Sequence, residues 1–191
     1  MNIRLALSAL LLAAVSVAGG CGGGEKLDQQ LAKGRALLAE GKYEAAATAF
    51  KAATEQDKNS LEAWLNLGHA YHGLKKNDEA LSAYVKAKQI DRHSILPHMA
   101  HAKVQIELGR IALASQELNF VVEMDPRNLE ALVLLGKISQ LPRKQPDGTS
   151  GVTRSDLERA ELNLSAAAAL APNDAAIAEE LAKVRALLGS K

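Results

Sequence analysis

Residues Leu61 to Arg92 read LEAWLNLGHAYHGLKKNDEALSAYVKAKQIDR, and the apolar spacing within them decides the fold. Trp64, Leu67, Tyr71 and Leu74 recur at three- and four-residue steps, which is one stripe of an amphipathic α-helix. Lys75, Lys76 and Asn77 interrupt it, and a second stripe runs through Ala80, Leu81, Tyr84, Ala87 and Ile90. Two short helices joined by so short a turn form a helical hairpin. Gly68 and Ala80 fall on the facing sides, where a larger side chain would hold the backbones apart. One hairpin cannot bury both stripes. The stretch therefore predicts neighbours built like itself.

A step of about 34 residues in either direction finds them, and a fixed period of this size marks a solenoid. Gly68 recurs as Gly34, Ala102 and Gly136; Ala80 as Ala46 and Ala114; Tyr84 as Phe50 and Leu118; Ala87 as Ala53 and Val121. Each repeat closes near Lys58, Arg92 or Pro126, and two residues later come Ser60, Ser94 and Asn128. Their side chains can accept hydrogen bonds from the free N–H groups of a helix's first turn. Gly41 and Gly109 end first helices, where a left-handed backbone is commonly required.

In these residues the chain resembles the tetratricopeptide repeat family. The family signature of Trp, Leu-Gly and Tyr, then Ala, an aromatic, Ala and a closing Pro, is met by Trp64, Leu67-Gly68, Tyr71, Ala80, Tyr84 and Ala87. Pro126 and Pro172 fit the closing place, whereas Lys58 and Arg92 depart from it. The resemblance implies an all-α, right-handed superhelix of helical hairpins, with repeats at about 27–60, 61–94, 95–128 and 129–174.

The fourth repeat departs from the period. Its first helix, Leu129 to Leu141, is in register, but aligning Ala160, Leu164, Ala167 and Pro172 needs 12 extra residues, at 142–153. That insert is polar and rich in Pro and Gly, so a solvated loop is expected, either a tolerated insertion or a partner-binding loop carrying Arg143 and Lys144. Ser155 to Glu158 has the spacing of a capping box and is expected to start the delayed helix. After Asp174, a further N-cap candidate, a terminal helix over 175–188 should cover the end of the array, with Leu181 and Ala182 at core places.

Residues 1–20 read as a secretion signal: Arg4 gives the positive charge, Leu5 to Val17 the apolar core, and Ala18, Gly19 and Gly20 the small residues before a cut. Cys21 follows, the single cysteine of the chain, so no internal disulfide is possible. This placement resembles the lipobox of bacterial lipoproteins and implies that Cys21 becomes the lipidated first residue. Ala18 stands where that family commonly has Leu. Residues 21–26 are expected to be a lipidated cysteine with a Gly-rich, flexible tether. Gly22 rather than Asp after Cys21 fits outer-membrane sorting, facing the periplasm. Ordinary signal cleavage, which would leave a soluble periplasmic protein with a free thiol, or an uncleaved anchor, is the alternative.

The formal net charge is +1, and loss of Arg4 with the leader leaves 22 basic and 22 acidic residues. No global field favours nucleic acid, and no basic arm or RNA-binding aromatic motif is present. Nucleophile motifs, phosphate loops and metal signatures are absent from the sequence, so neither a catalytic residue nor a cofactor is expected. His69 and His72, like His98 and His101, lie one turn apart. No Cys or carboxylate completes a familiar zinc spacing. Buried, hydrogen-bonded histidines are expected at 98 and 101, which take the places of Trp64 and Leu67, with Gln105 at the place of Tyr71. A histidine-dependent metal-binding protein is the second alternative.

In arrays of this family the first helices line the concave surface, which implies that the fifth and ninth residues of each repeat face a bound segment. The fifth are Leu31, Leu65, Met99 and Val133; the ninth are Arg35, His69, Lys103 and Lys137. With Asn66 and His72 they are the candidate partner-binding groove, an apolar stripe beside a basic one. Such a groove suits protein segments with apolar anchors and acidic neighbours. Of the Lys, Asn and Arg pattern by which some members hold a C-terminal carboxylate, Asn66 alone matches. The expected function is a membrane-anchored, non-enzymatic scaffold or assembly factor in a bacterial envelope complex, such as pilus or secretion machinery. A soluble adaptor for a wall hydrolase or protease is the alternative.

Overall fold

In the computed structural model, residues 22–144 and 150–190 are described. The leader, Cys21 and residues 145–149 of the insert lie outside them. The described residues form nine α-helices: α1 (Gly22–Ala39), α2 (Tyr43–Gln56), α3 (Leu61–Gly73), α4 (Asn77–Ile90), α5 (Ile95–Glu107), α6 (Ile111–Met124), α7 (Leu129–Ser139), α8 (Arg154–Leu170) and α9 (Ala175–Gly189). Helices α1 to α8 pack as four hairpins, and each second helix also packs on the next first helix, ending with α8 on α9. This is an all-α solenoid.

Three of the hairpins are closed by a glycine against a large side chain. A Cβ added at Gly68 would run into the Tyr84 ring; at Gly34 it would meet the Phe50 ring at 2.6 Å, and at Gly136 Leu164 Cγ at 2.6 Å. The absent side chain lets the large one lie on the helix backbone. Phe50 and Tyr84 are 0% and 1% exposed, and burial of such a side chain contributes about 2–3 kcal/mol. The alanines that begin the second helices, Ala46, Ala80, Ala114 and Ala160, are all fully buried.

The first three hairpins turn alike. Gly41, Lys75 and Gly109 all adopt the left-handed conformation, with φ of 72°, 60° and 69°. At the second turn Lys75 N–H donates to His72 O and Lys76 N–H to Tyr71 O, both at 2.9 Å, which satisfies carbonyls left open at the end of α3. Lys75 is the only non-glycine with positive φ among the described residues.

The caps follow the expectation in part. Ser60 accepts from Ala63 N and Asn128 from Ala131 N, while Asp174 accepts from Ala176 N and Ile177 N. Ser94 precedes α5 but caps nothing, because the third residue after it is Pro97, which has no N–H to give. The capping box of α8 is also not the expected one. Thr153 caps the helix and Asp156 closes the box, with Asp156 N–H on Thr153 Oγ1 at 3.1 Å and Thr153 N–H on Asp156 Oδ2 at 3.0 Å. Arg143 and Arg159 hold the other Asp156 oxygen at 2.6 and 2.5 Å, which fixes the carboxylate in that place.

Three further expectations are corrected. The insert is not wholly irregular: β1 (Arg143–Lys144) pairs antiparallel with β2 (Ser150–Gly151), and Arg143 ties its base to α8. The glycines assigned to a flexible tether lie in the first turn of α1, which no proline interrupts. Ala182 is exposed, whereas Ile177, Leu181 and Val184 are buried against neighbouring helices. Ala182 stands at the place of Gly68, but among the described residues no second helix follows α9 to cover it.

Candidate protein-binding surfaces

First helices touch one another directly, α1 with α3 and α3 with α5, so they form the inner wall of the solenoid. The second helices form the outer one. On the inner wall the candidate residues separate. Leu31 and Met99 are each only 7% exposed and belong to the core, so they are not offered to a ligand. Leu65 and Val133 are half-buried, as are Asn66, His69 and His72.

The expected basic stripe is largely neutralised. Arg35 pairs with Glu62 at 2.6 Å and Lys103 with Glu130 at 2.7 Å, in each case the ninth residue of one repeat on the second residue of the next. Such exposed pairs contribute about 0–1 kcal/mol each, but they remove free charge from the wall. This ladder lacks its acid at two places. The first opposes His69 with Leu96, which is 59% exposed; the second opposes Lys137 with Ala176. His69 Nδ1 lies 3.1 Å from the Tyr84 hydroxyl, with the rings edge to face. Burial pushes the His69 imidazole down, and the charges of His72 and Lys103 push the same way, so it is neutral at neutral pH. His72 Nε2 meets Glu107 Oε2 at 2.9 Å.

Lys137 is exposed and has no ion pair among the described residues. With Val133 it lines a pocket of about 510 Å³ between α7 and α9, whose apolar walls are Leu129, Leu134 and Ile177 and whose rim carries Glu130 and Glu180. Here an apolar and a basic candidate come together with open space beside them.

The histidines at 98 and 101 belong to a cluster with two partners that periodicity did not single out. Glu117 of α6 takes Lys88 Nζ at 2.5 Å and His98 Nδ1 at 2.6 Å, whereas His101 Nδ1, 3.1 Å from Oε1, is out of hydrogen-bond geometry and is buried without the partner expected of it. His98 also stacks on Phe120 with centroids 4.1 Å apart. Burial alone would push the Glu117 carboxyl up, but the contacts from His101, Lys88 and His98 and the lysine charge outweigh it and bring it down to about 2. Burial pushes His98 down, against the opposing pull of Glu117. Lys88 already occupies the cationic place beside the carboxylate, so this is an internal ion pair. No group of three or more His, Cys, Asp or Glu among the described residues has an arrangement to hold a metal ion. One signal pointed to the pair: Lys88 and Glu117 take the places that Thr54 and Ala83, both buried, hold one repeat earlier.

Comparison with known proteins places this geometry. Residues 31–94 match the tetratricopeptide repeat family model. Tetratricopeptide repeat protein 1 of Schizosaccharomyces pombe is 32% identical over 94 residues, 49% of this chain and 9% of its own length. The CTR9 homolog of Arabidopsis thaliana is 30% identical over 105 residues, 54% of this chain and 10% of its own length. The chain thus spans about a tenth of the length of the curated relatives it matches. Among solved structures, the MamA protein superposes with a TM-score of 0.71 at 16% identity, covering 87% of this chain and 86% of that one. PilF of Pseudomonas aeruginosa gives 0.68 at 21% identity, covering 85% and 69%. At these identities both show the fold alone. The first repeat domain of RPAP3, solved bound to an HSP90 peptide, gives 0.59 at 27% identity, covering 61% of this chain and 92% of that domain. With the signature recurring from repeat to repeat, the match of residues 31–94 to the family model and the shared fold, the chain is a tetratricopeptide-type all-α solenoid.

Proposed function

We propose that this protein is a lipid-anchored, non-enzymatic scaffold that holds segments of partner proteins in a bacterial envelope complex, such as pilus or secretion machinery. The observation that carries the binding role is the inner-wall pocket at α7 and α9, where Lys137, without an ion pair among the described residues, stands beside Val133, Leu134 and Ile177. A segment with an apolar anchor and an acidic neighbour fits both parts of it. The RPAP3 domain, 27% identical, is itself solved with a peptide bound, which supports a segment as the ligand class. The anchor rests on sequence: Cys21 directly follows small residues and an apolar stretch.

The test is a crosslinked pull-down from membranes of wild type, Lys137→Glu and Cys21→Ser, with the intact mass of the purified protein. The scaffold reading expects partners that Lys137→Glu no longer retains, membrane release by Cys21→Ser, and acyl mass on Cys21. Equal capture by wild type and Lys137→Glu overturns the pocket's role. A mature chain with an unmodified Cys21 replaces the anchored scaffold with a soluble periplasmic adaptor.

A further inference from the structure

The outer surface of the second hairpin carries a groove of about 720 Å³ between α2 and α4, with Trp64, Leu67 and Tyr71 of α3 along its floor. One repeat later the same slot is bridged. There Lys88 and Glu117 join α4 to α6, His98 and His101 lie beneath them, and Phe120 stacks on His98. The equivalent residues of the repeat before are Thr54, Ala83, Trp64, Leu67 and Lys86. Thr54 and Ala83 are too short to meet across the gap, so the slot stays open and its floor stays apolar. Its volume falls within the range of about 300–1,000 Å³ that ligand pockets occupy.

The charges around the groove differ between its two ends. Helix α3 runs antiparallel to α4, so Trp64 lies by the end of α4 and Tyr71 by its start. Lys58 and Lys86 flank the Trp64 end, and a depression of about 520 Å³ continues there past Gln89 and Ile90. Neither lysine has an ion pair among the described residues. Asp78, Glu79 and Lys51 edge the other end, where Asp78 is held by Arg110 at 3.8 Å and Lys51 offsets Glu79, while Glu55 lines the groove between the two ends. From Trp64 to Tyr71 is two helical turns, or about 10 Å. Trp64 gives its Nε1–H to Lys58 O at 2.9 Å, which satisfies the polar edge of the ring.

We propose that this outer groove docks a short amphipathic protein segment of fixed direction. Two bulky apolar side chains sit over Trp64 and Tyr71, and an acidic residue at the Trp64 end meets Lys58 and Lys86. The basic Trp64 end, against a mixed Tyr71 end, sets which way the segment lies, and the aromatic floor supplies the apolar contact. The site is separate from the inner-wall pocket and goes beyond the role proposed for it.

A random peptide library displayed on phage and selected on the whole mature protein tests this. Selected peptides are titrated while the emission of Trp64, the sole tryptophan, is followed. The expected peptides share two apolar residues with an acid at one end, and they shift that emission. Lys86→Glu, on an exposed residue, should weaken them about tenfold or more, the effect of reversing a charge that faces the ligand. Thr54→Lys with Ala83→Glu, which rebuilds the next repeat's bridge across the slot, should abolish binding with helicity retained. Lys103→Glu with Lys137→Glu should change nothing. The proposal is overturned if no peptide is enriched, or if selected peptides bind Lys86→Glu as tightly as wild type. It is equally overturned if their binding is lost only in the Lys103→Glu and Lys137→Glu variant, a result that leaves the proposed function standing.

Discussion

Lys88 Nζ lies 2.5 Å from Glu117 Oε1 and carries an ion pair across the gap between α4 and α6, with both side chains largely buried. The same gap one repeat earlier holds Thr54 and Ala83 and no pair. Two equivalent slots in one solenoid are thus filled by opposite means, one with charge and the other with an apolar floor.

Removing one partner of the buried pair leaves the other charge desolvated and alone. Glu117→Ala is expected to destabilise the fold by about 3–5 kcal/mol in urea titration. Replacing the set together, with Lys88→Thr, Glu117→Ala, His98→Trp and His101→Leu, copies the apolar version of the slot. It should recover most of that loss. If the combined variant is no more stable than Glu117→Ala, the two slots are not interchangeable.

Acid should act on this cluster in two stages. The folded His98 pKa lies below the ordinary 6.5, so the unfolded chain binds the proton more readily and stability begins to decline as pH drops through about 6.5. Glu117 is held at about 2 against an ordinary 4.5, so its contribution is complete above about 4.5 and is lost as pH falls toward 2. That second loss amounts to about 3 kcal/mol. Urea midpoints of wild type and Glu117→Gln, measured from neutral to acid pH, check it: the variant should start less stable and lack the steep decline below about pH 4.5.

Lys75 holds a backbone conformation that Gly41 and Gly109 adopt without a Cβ in the equivalent turns. Lys75→Gly should therefore stabilise the protein by about 0.5–1 kcal/mol, the relief of strain exceeding the added freedom of the unfolded chain. Gly41→Ala and Gly109→Ala should destabilise it by about 1 kcal/mol. A thermal or urea midpoint decides the sign in each case.

Ser60 and Ser94 occupy the same place before successive first helices but do different things. Ser60→Ala should cost about 1 kcal/mol, because the Ala63 N–H loses its acceptor. Ser94→Ala should be near neutral, since Pro97 offers no N–H in that place. Equal losses at the two sites in urea titration would contradict the cap assignment.

Much of the fold was legible because a hairpin writes its own packing into the chain. Gly68 and Tyr84 belong to one hairpin, and their contact depends only on the turn between them. The same spacing located Gly34 with Phe50. It failed at Ala182, because periodicity names the face that a neighbour would cover but does not supply the neighbour. Capping needed one more fact than the pattern gives: a serine in the cap place caps only if the third residue onward has an N–H.

The sequence alone determined the helices, their pairing into hairpins and the repeating small and large residues that close each one, since all of these follow from local spacing. Only the tertiary structure decided what lies between repeats. It set the pairing of Arg35 with Glu62 and Lys103 with Glu130, the burial of Leu31 and Met99, and the bridge of Lys88 to Glu117. The reason is geometric: contacts between repeats depend on how far apart successive hairpins stand and how long the facing side chains are. A fixed period states which residues are equivalent, while whether a given gap is bridged, open or solvated is settled by the reach of the two side chains that face it.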